Sequence, residues 1–329
     1  MGGGGGVFCV VNMIYLMLRF LLCCVWLLCM RCLFLVSGSA KKIVDVVVPS
    51  LFSRGLFVGD VVVFVYVEQE YSSEQIGVLE SRGVVCVFVE KMNEYVSLDR
   101  FRVYFEYVKD LYQNYDVIML SHDDVLFACS LDGLFVLAKD VLCVSSVFGG
   151  VNCSGVKYLS YVEGAKPELF IDSYNMPREW FDTILGEQSF NSGIISGPAK
   201  EIFNYLSFFN GCSKMFVKPK DYNGFDTFVL KELLLNVWIY YFKPVFKDVG
   251  WQWNCIDSHP LKAFNIVDNK IVATGYDDSK NQMFIIHMQI GEIEALLEKG
   301  KLNYPNIDIR PYLQRNNISD ELYRFINNL

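Results

Sequence analysis

Two adjacent carboxylates, Asp123 and Asp124, follow an apolar run at 117–120, and His122 directly precedes them. A second apolar run, 125–127, begins immediately afterwards. Carboxylates at the end of a buried strand commonly hold a divalent cation for a phosphate-bearing ligand, and imidazole binds borderline cations. The spacing therefore predicts a cation site at this position. On the dipeptide alone, the alternative is a solvated acidic turn after a strand.

The pattern of apolar residues indicates which elements position this site. Runs rich in β-branched residues predict strands at 33–36, 60–67, 84–90 and 117–120. Amphipathic stretches between them predict helices at about 43–52, 73–82 and 98–114. This alternation is typical of a doubly wound, Rossmann-like α/β domain, whose ligand crevice lies beyond the carboxyl ends of parallel strands. The loop Ser37, Gly38 and Ser39 and the Asp123-Asp124 tip are both expected there.

Composition limits the classes of protein that fit. The chain has 329 residues, of which 53% are hydrophobic and 20% charged, enough for a large core. We expect one domain, residues 33–329, after a distinct N-terminal segment, residues 1–32. A net charge of −8 and the lack of a Lys/Arg-rich run argue against nucleic acid as a partner, because polyanion binding needs clustered cations.

The N-terminal segment is almost wholly apolar from Val7 to Val36. At about 1.5 Å per helical residue it is long enough to cross a bilayer, so it predicts a single-pass membrane anchor or uncleaved signal anchor. Arg19 lies near its middle, Arg31 lies near its C-terminal end, and the lysines at 41–42 follow it. By the positive-inside rule this favours a cytosolic C-terminal domain, whereas an enzyme of the secretory pathway needs the reverse. The orientation stays open.

Several catalytic and metal-binding motifs are absent from the sequence. The eleven cysteines include no Cys-x-x-Cys pair in the soluble part of the chain, which excludes a zinc ribbon and leaves disulfides open. There is no Gly-x-Ser-x-Gly elbow, Walker loop, Gly-x-Gly-x-x-Gly loop or His-Glu-x-x-His helix after the N-terminal segment. The common hydrolase, nucleotidase and dinucleotide-binding signatures therefore do not apply.

Five segments occur in an order that resembles a known family. They are "FLVSGS" with the strand that follows it, "SLDRFRVYFEYVKDLYQNYDVIMLSHDDVLF", "SFNSGIISGPAKEIFNYL", "GFDTFVLKELL" and "MFIIHMQIG". In order and spacing they resemble GT-A-type nucleotide-sugar glycosyltransferases, from about Leu33 to about Gln289. The resemblance implies a GT-A-like fold and transfer of a sugar from a nucleotide-diphosphate donor to a glycan or glycoprotein hydroxyl. It further implies a Mn²⁺ or Mg²⁺ cofactor, a retaining mechanism and a membrane-anchored enzyme of the Golgi or endoplasmic reticulum.

The resemblance also implies the metal ligands. Asp124 matches the last acid of the family's Asp-x-Asp motif, and His287 matches a late histidine ligand. The family has another acid two or three residues before Asp124, where this chain has Ser121 and His122. His122 or Asp123 is expected to replace that acid. The alternative is an inactive relative that has lost its metal, and a lone histidine such as His287 is more often a core residue.

Further site residues follow from the same comparison. Arg100 is implied to bind the diphosphate, although from the residues alone a helix-surface arginine fits equally well. The loop at 37–39 and the pair Ser192 and Gly193 are implied to contact the donor. Asn191 and Asp226 are implied to act on the sugar or its nucleophile. From the residues alone, 191–193 also fits an ordinary turn, and Asp226 fits the N-cap of a helix that begins at Thr227.

Overall fold

A central β-sheet organises the protein. The computed structural model describes residues 30–69, 71–92, 96–146, 176–184, 187–215, 224–254, 261–267, 270–275, 280–287 and 302–303. Its strands are β1 Cys32–Ser37, β2 Asp60–Tyr66, β3 Val85–Val89, β4 Val117–Ser121, β5 Val125–Phe127, β6 Leu142–Ser146, β7 Phe190–Pro198, β8 Phe246–Asp248, β9 Leu261–Val267, β10 Lys270–Gly275, β11 Lys280–Gln282, β12 Ile285–His287 and β13 Leu302–Asn303.

Helices connect most of these strands. They are α1 Ala40–Lys42, α2 Val48–Ser53, α3 Ser73–Ser81, α4 Val96–Val108, α5 Asp132–Ala138, α6 Arg178–Ile184, α7 Ala199–Met215 and α8 Gly224–Val237. A π-helical turn, Ile43–Val47, joins α1 to α2, so the chain stays helical from residue 40 to residue 53. The helices predicted at 43–52, 73–82 and 98–114 are confirmed, with shifted ends.

Seven strands form the main sheet in the order β3-β2-β1-β4-β7-β6-β8. Strand β7 pairs antiparallel with β4 and β6, and the other pairings in this sheet are parallel. The predicted α/β class with a mainly parallel sheet is confirmed, and it is compatible with a Rossmann-like fold. Strand β1 is buried along its whole length, which explains why its sequence is a continuous apolar run.

Hydrophobic cores lie on both faces of the sheet, because side chains alternate along each strand. Leu33 and Leu35 of β1 belong to a core that includes Phe101 of α4 and further residues of α7 and α8. Phe34 and Val36 belong to the other core, with residues of α2 and α5. Helices therefore cover both faces, as the doubly wound pattern predicts.

The order of strands creates a crevice between β1 and β4. From β1 the chain proceeds outward through β2 and β3, and β4 then pairs with the other edge of β1. In open α/β sheets such a switch point, at the carboxyl ends of the strands, is where ligands bind. Val36 and Ser121 are register partners there. The loops that leave β1 and β4 therefore start side by side.

A small two-stranded sheet brings the C-terminal region to the same place. Strand β12 pairs antiparallel with β5, and His287 is the partner of Val125. Because β5 starts directly after Asp124, this register places His287 beside the tip of β4. A separate antiparallel sheet contains β11, β10, β9 and β13, in that order.

The N-terminal segment is described only at its end. Strand β1 begins at Cys32, one residue inside the segment assigned to 1–32, and residues 1–29 lie outside the described residues. Among the helices of the described ranges, none has the length and apolar character needed to cross a bilayer.

Candidate functional site

Three side chains converge at the carboxyl end of β4. His122 and Asp124 lie in the short turn between β4 and β5, and His287 ends β12. The Nε2 atom of His287 lies 3.2 Å from Asp124 Oδ1 and 3.2 Å from His122 Nδ1. His122 Nδ1 lies 3.9 Å from Asp124 Oδ1. We call these three residues the metal group.

The geometry of the metal group fits one ion. A triangle with sides of 3.2, 3.2 and 3.9 Å has a centre about 2 Å from each corner, and metal–imidazole and metal–carboxylate bonds have about that length. The three side chains together can therefore hold a divalent cation. The three side chains that were predicted to bind a metal, those of His122, Asp124 and His287, therefore lie at one place in the structure.

The backbone of β7 explains how the two imidazoles are placed. The amide of His122 donates a 3.0 Å hydrogen bond to the carbonyl of Gly193, which lies in β7. A Cβ atom at Gly193 would overlap the ring of His287. Glycine is therefore required here, because any side chain would displace a member of the metal group.

Burial and neighbouring charges together shift the pKa values of His122 and Asp124. Burial lowers the pKa of His122 well below its ordinary value, and the positive charges of Lys231 and Arg100 lower it further. Burial acts to raise the pKa of Asp124, but the charge and hydrogen bond of His287 outweigh burial and hold that pKa well below its usual range. A neutral imidazole and an ionised carboxylate are the forms that bind metals.

Asp123 has different partners from its neighbour. Its Oδ2 accepts a 2.8 Å hydrogen bond from the amide of Ser39, and its Oδ1 lies 3.8 Å from Arg100 Nη2. Gly38 has a φ of 149°, and a Cβ atom there would overlap the carboxylate of Asp123. Asp123 therefore connects the β1 loop to the β4 tip, and it is not a member of the metal group.

Arg100 lies in the crevice on α4. Its side chain is only 7% exposed, so the alternative of a helix-surface arginine is wrong. Its Nε and Nη1 atoms are buried and have no hydrogen-bond partner within the described part of the chain. Two buried donor nitrogens without acceptors are unusual, and they indicate a site for an anion.

Ser37 has a structural partner. Tyr104 donates a hydrogen bond to the carbonyl of Ser121 at 3.1 Å, and the Ser37 hydroxyl lies 3.1 Å from the same tyrosine oxygen. Because the hydrogen of Tyr104 goes to Ser121, Ser37 must donate to Tyr104. This chain of bonds joins the ends of β1 and β4. Nothing in the sequence distinguished Tyr104 from other helix aromatics.

Residues 191–193 lie within strand β7, so the alternative of an ordinary turn is wrong. The amide and hydroxyl of Ser192 each donate a 2.7 Å hydrogen bond to the carboxylate of Glu232. Asn191 Oδ1 accepts from Gly193 N at 2.7 Å and from Asn254 Nδ2 at 2.9 Å. Asn191 Nδ2 donates to Glu232 Oε1 at 3.4 Å. Protein groups therefore satisfy the side chains of Asn191 and Ser192.

Two charged residues of α8 were not predicted. Lys231 and Glu232 are both buried, and Lys231 Nζ lies 3.4 Å from His122 Nε2. Burial lowers the pKa of Lys231 to about 8, and burial raises the pKa of Glu232. The available signal was a charged pair inside the apolar sequence "FVLKELLLNV". Such a pair is seldom buried without a partner or a function.

Asp226 lies in the first turn of α8. The helix begins at Gly224, so Asp226 is inside the helix and is not the N-cap of one that begins at Thr227. Its side chain lies outside the described residues, and its predicted role stays a prediction.

No family model matches this chain, and no curated protein matches it. Conclusions about function therefore depend on the chemistry of the site.

Proposed function

We propose that the protein is a metal-dependent, GT-A-type glycosyltransferase. It moves a sugar from a nucleotide-diphosphate donor to a hydroxyl of a glycan or glycoprotein. The observation that carries this proposal is the convergence of the metal group and the buried Arg100 at the switch point of the mainly parallel sheet. A cation site beside unpartnered guanidinium N–H groups is suited to a diphosphate.

The charge around the site supports a diphosphate ligand. Three carboxylates, Asp123, Asp124 and Glu232, and three cations, Arg100, Lys231 and Lys42, act on the site. Their formal charges balance without a metal. A bound divalent cation makes the site positive, so the loaded site attracts a doubly charged diphosphate.

The residues have separate tasks in this proposal. His122, Asp124 and His287 would hold the cation, which neutralises charge on the departing diphosphate and orients the donor. Arg100 donates its unpartnered N–H groups to the diphosphate. Asp123 holds the β1 loop against that arginine.

Residues of β7 act by positioning. Asn191 accepts a hydrogen bond from the amide of Gly193, which fixes the backbone against which the His287 ring packs. Ser192 donates two hydrogen bonds to Glu232, and these bonds also hold the backbone of β7 in place. Contacts of these residues or of Asp226 with the sugar remain predictions. A retaining outcome, the membrane anchor within residues 1–32 and a Golgi or endoplasmic reticulum location also remain predictions.

A nucleotide-sugar screen tests the proposal. We expect the full chain to release or transfer sugar with Mn²⁺ and to stop with EDTA. The variant Asp124→Asn removes a ligand charge without changing volume, and it should lower turnover at least about 100-fold, as expected when a stabiliser of transition-state charge is lost. The matched control is Asp140→Asn, because Asp140 is exposed beyond α5.

The outcomes separate the alternatives. Turnover that ignores both EDTA and Asp124→Asn would contradict the proposed site. Binding of a nucleotide sugar without turnover under any metal would instead support the inactive relative.

A further inference from the structure

The donor atoms of the metal group are unusual for a magnesium site. Two of the three are imidazole nitrogens, and one is a carboxylate oxygen. Magnesium prefers oxygen ligands and retains several waters, whereas imidazole suits zinc, iron, copper and nickel. Two histidines and one carboxylate are a ligand set of transition-metal sites, in which further positions stay open.

We propose that the metal group binds a borderline transition ion, such as Zn²⁺, Co²⁺ or Fe²⁺, before any nucleotide arrives, and that it discriminates against Mg²⁺ and Ca²⁺. The inference concerns the same site as the proposed function, but it does not depend on sugar transfer. It states that this chain carries a resident ion of a defined chemical class.

Preorganisation is the first reason for binding without nucleotide. His287 is fixed by the pairing of β12 with β5, and His122 is fixed by the bond from its amide to Gly193. The side chains of His122 and His287 are 7% and 0% exposed, so packing restricts their rotation. Three protein ligands that already converge need no phosphate oxygen to complete a binding site.

Burial separates the converging atoms from bulk solvent. Among the three side chains Asp124 is the most exposed, at 18%, but its Oδ1, which lies nearest both imidazoles, is buried. The ring of His287 lies against Gly193 of β7. Solvent therefore reaches Asp124 through atoms other than Oδ1, and a substrate oxygen or a water would reach a bound ion from the carboxylate side.

Metal binding to the full chain, without nucleotide, tests the inference. The probes are Co²⁺ and Zn²⁺ alone, followed by calorimetry and by the visible absorption of protein-bound Co²⁺. We expect one ion per chain and no displacement by Mg²⁺ in about 100-fold excess, because two nitrogen ligands favour the transition ion. This competition uses the wild-type protein, so it does not depend on the folding of a variant.

Variants identify the ligands. His287→Gln and His122→Gln keep much of the side-chain volume. Loss of a residue that only hydrogen-bonds to a metal ligand lowers metal affinity about 10- to 100-fold. Each of these two variants removes a ligand itself, so each should weaken Co²⁺ binding by more than that. His122→Asp should increase the affinity for Mg²⁺ and decrease the affinity for Co²⁺. Cys129→Ser and Asp140→Asn remove a soft and a hard ligand outside the metal group, and both should bind Co²⁺ as the wild type does.

Each result decides one question. Co²⁺ binding that requires a nucleoside diphosphate, or that Mg²⁺ displaces at equal concentration, would overturn the inference. So would a Co²⁺ signal that persists in His122→Gln and His287→Gln but disappears in Cys129→Ser. Sugar transfer supported by Mg²⁺ would leave the proposed function standing while this inference fails. Tight Co²⁺ binding without any turnover would do the reverse.

Discussion

Two buried polar clusters meet at β7, and their bonding differs. The first, which we call the Glu232 network, consists of Asn191, Ser192, Glu232 and Asn236. Each polar side-chain atom of these four residues has a hydrogen-bond partner in the protein. The second is the metal group, where two imidazole nitrogens and one carboxylate oxygen converge. These two nitrogens carry at most two N–H hydrogens between them.

The difference indicates what each cluster does. A satisfied buried network specifies one arrangement of the backbone, and it has no capacity left for a ligand. Three buried ligand atoms that converge are unfavourable unless protons or a metal cation lie between them. The Glu232 network therefore holds β7 against α8, whereas the metal group and Arg100 keep the capacity to bind a ligand.

The substitution Gly193→Ala should lower both stability and Co²⁺ affinity, because Gly193 contacts both clusters. A methyl group there would overlap the His287 ring and approach Asn191 Oδ1. We expect loss of stability of about 1–3 kcal/mol from overpacking. Displacement of His287 should also lower Co²⁺ affinity at least about tenfold. Calorimetry with Co²⁺ and urea unfolding measure the two effects.

A glycine far from the site provides the control for Gly193→Ala. A Cβ atom at Gly77, in α3, meets nothing within 4 Å. Gly77→Ala should keep Co²⁺ affinity and increase stability by up to about 1 kcal/mol, because alanine is the better helix former. Wild-type Co²⁺ affinity in Gly193→Ala would show that the glycine does not position His287.

The substitution Arg100→Lys should have a smaller effect, confined to anion binding. Lysine keeps the charge but loses the planar fork, so we expect affinity for a nucleoside diphosphate to fall about tenfold. Stability should hold, because Nε and Nη1 of Arg100 have no partner in the described structure. Titration with a nucleoside diphosphate and Mn²⁺ measures the affinity. A drop in unfolding free energy with unchanged affinity would place Arg100 among the structural residues.

Sequence reasoning predicted the sheet well, for a physical reason. A central parallel strand is buried on both faces, so β1, β2 and β4 are visible as continuous apolar runs. The crevice at the carboxyl ends of β1 and β4 follows from that pattern and from the topology rule for open sheets. Both loops predicted to face it do so, as the bond between Ser39 and Asp123 shows.

The sequence did not predict which contacts each of the neighbouring residues Asp123 and Asp124 makes. Asp123 and Asp124 are adjacent, yet one contacts Ser39 and Arg100 while the other contacts His287. Which carboxylate faces which side depends on the turn between β4 and β5, and turn geometry is not encoded in the dipeptide. The position of His287 depends on the pairing of β12 with β5, which brings it beside His122, 165 residues earlier in the chain, so only the family resemblance suggested it.

The buried carboxylate of Glu232 was missed because helix periodicity gives no information on which charged residue is buried. Residues 230 to 235 are all buried, so α8 has no solvent face there. A helix enclosed on all sides needs internal partners for its charged residues. In the sequence, the adjacent charged residues Lys231 and Glu232 are the sign of that enclosure. Only the structure shows that Ser192 is the partner of Glu232.

The substitution Glu232→Gln should have the smallest effect on metal binding and a clear effect on stability. The introduced side chain would place an amide donor near Asn191 Nδ2 or Ser192 N, both of which are donors. We expect a loss of about 1–3 kcal/mol, the cost of an unsatisfied buried polar group. Co²⁺ affinity should remain that of the wild type. Urea unfolding measures the stability, and calorimetry with Co²⁺ provides the control.

The pH dependence of this loss tests the assignment further. Burial raises the pKa of Glu232, although Lys231 and Ser192 oppose the shift, so the folded protein holds this proton more tightly than the unfolded chain. The resulting stability is fully present below the unfolded pKa of about 4.3 and is lost as the pH rises through the higher folded pKa. Glutamine does not titrate, so the gap between Glu232→Gln and wild type should be widest in acid and narrow as the pH rises. A gap that stays constant with pH, together with lost Co²⁺ binding, would instead place Glu232 in the ligand site, because a carboxylate that binds a cation has to be ionised.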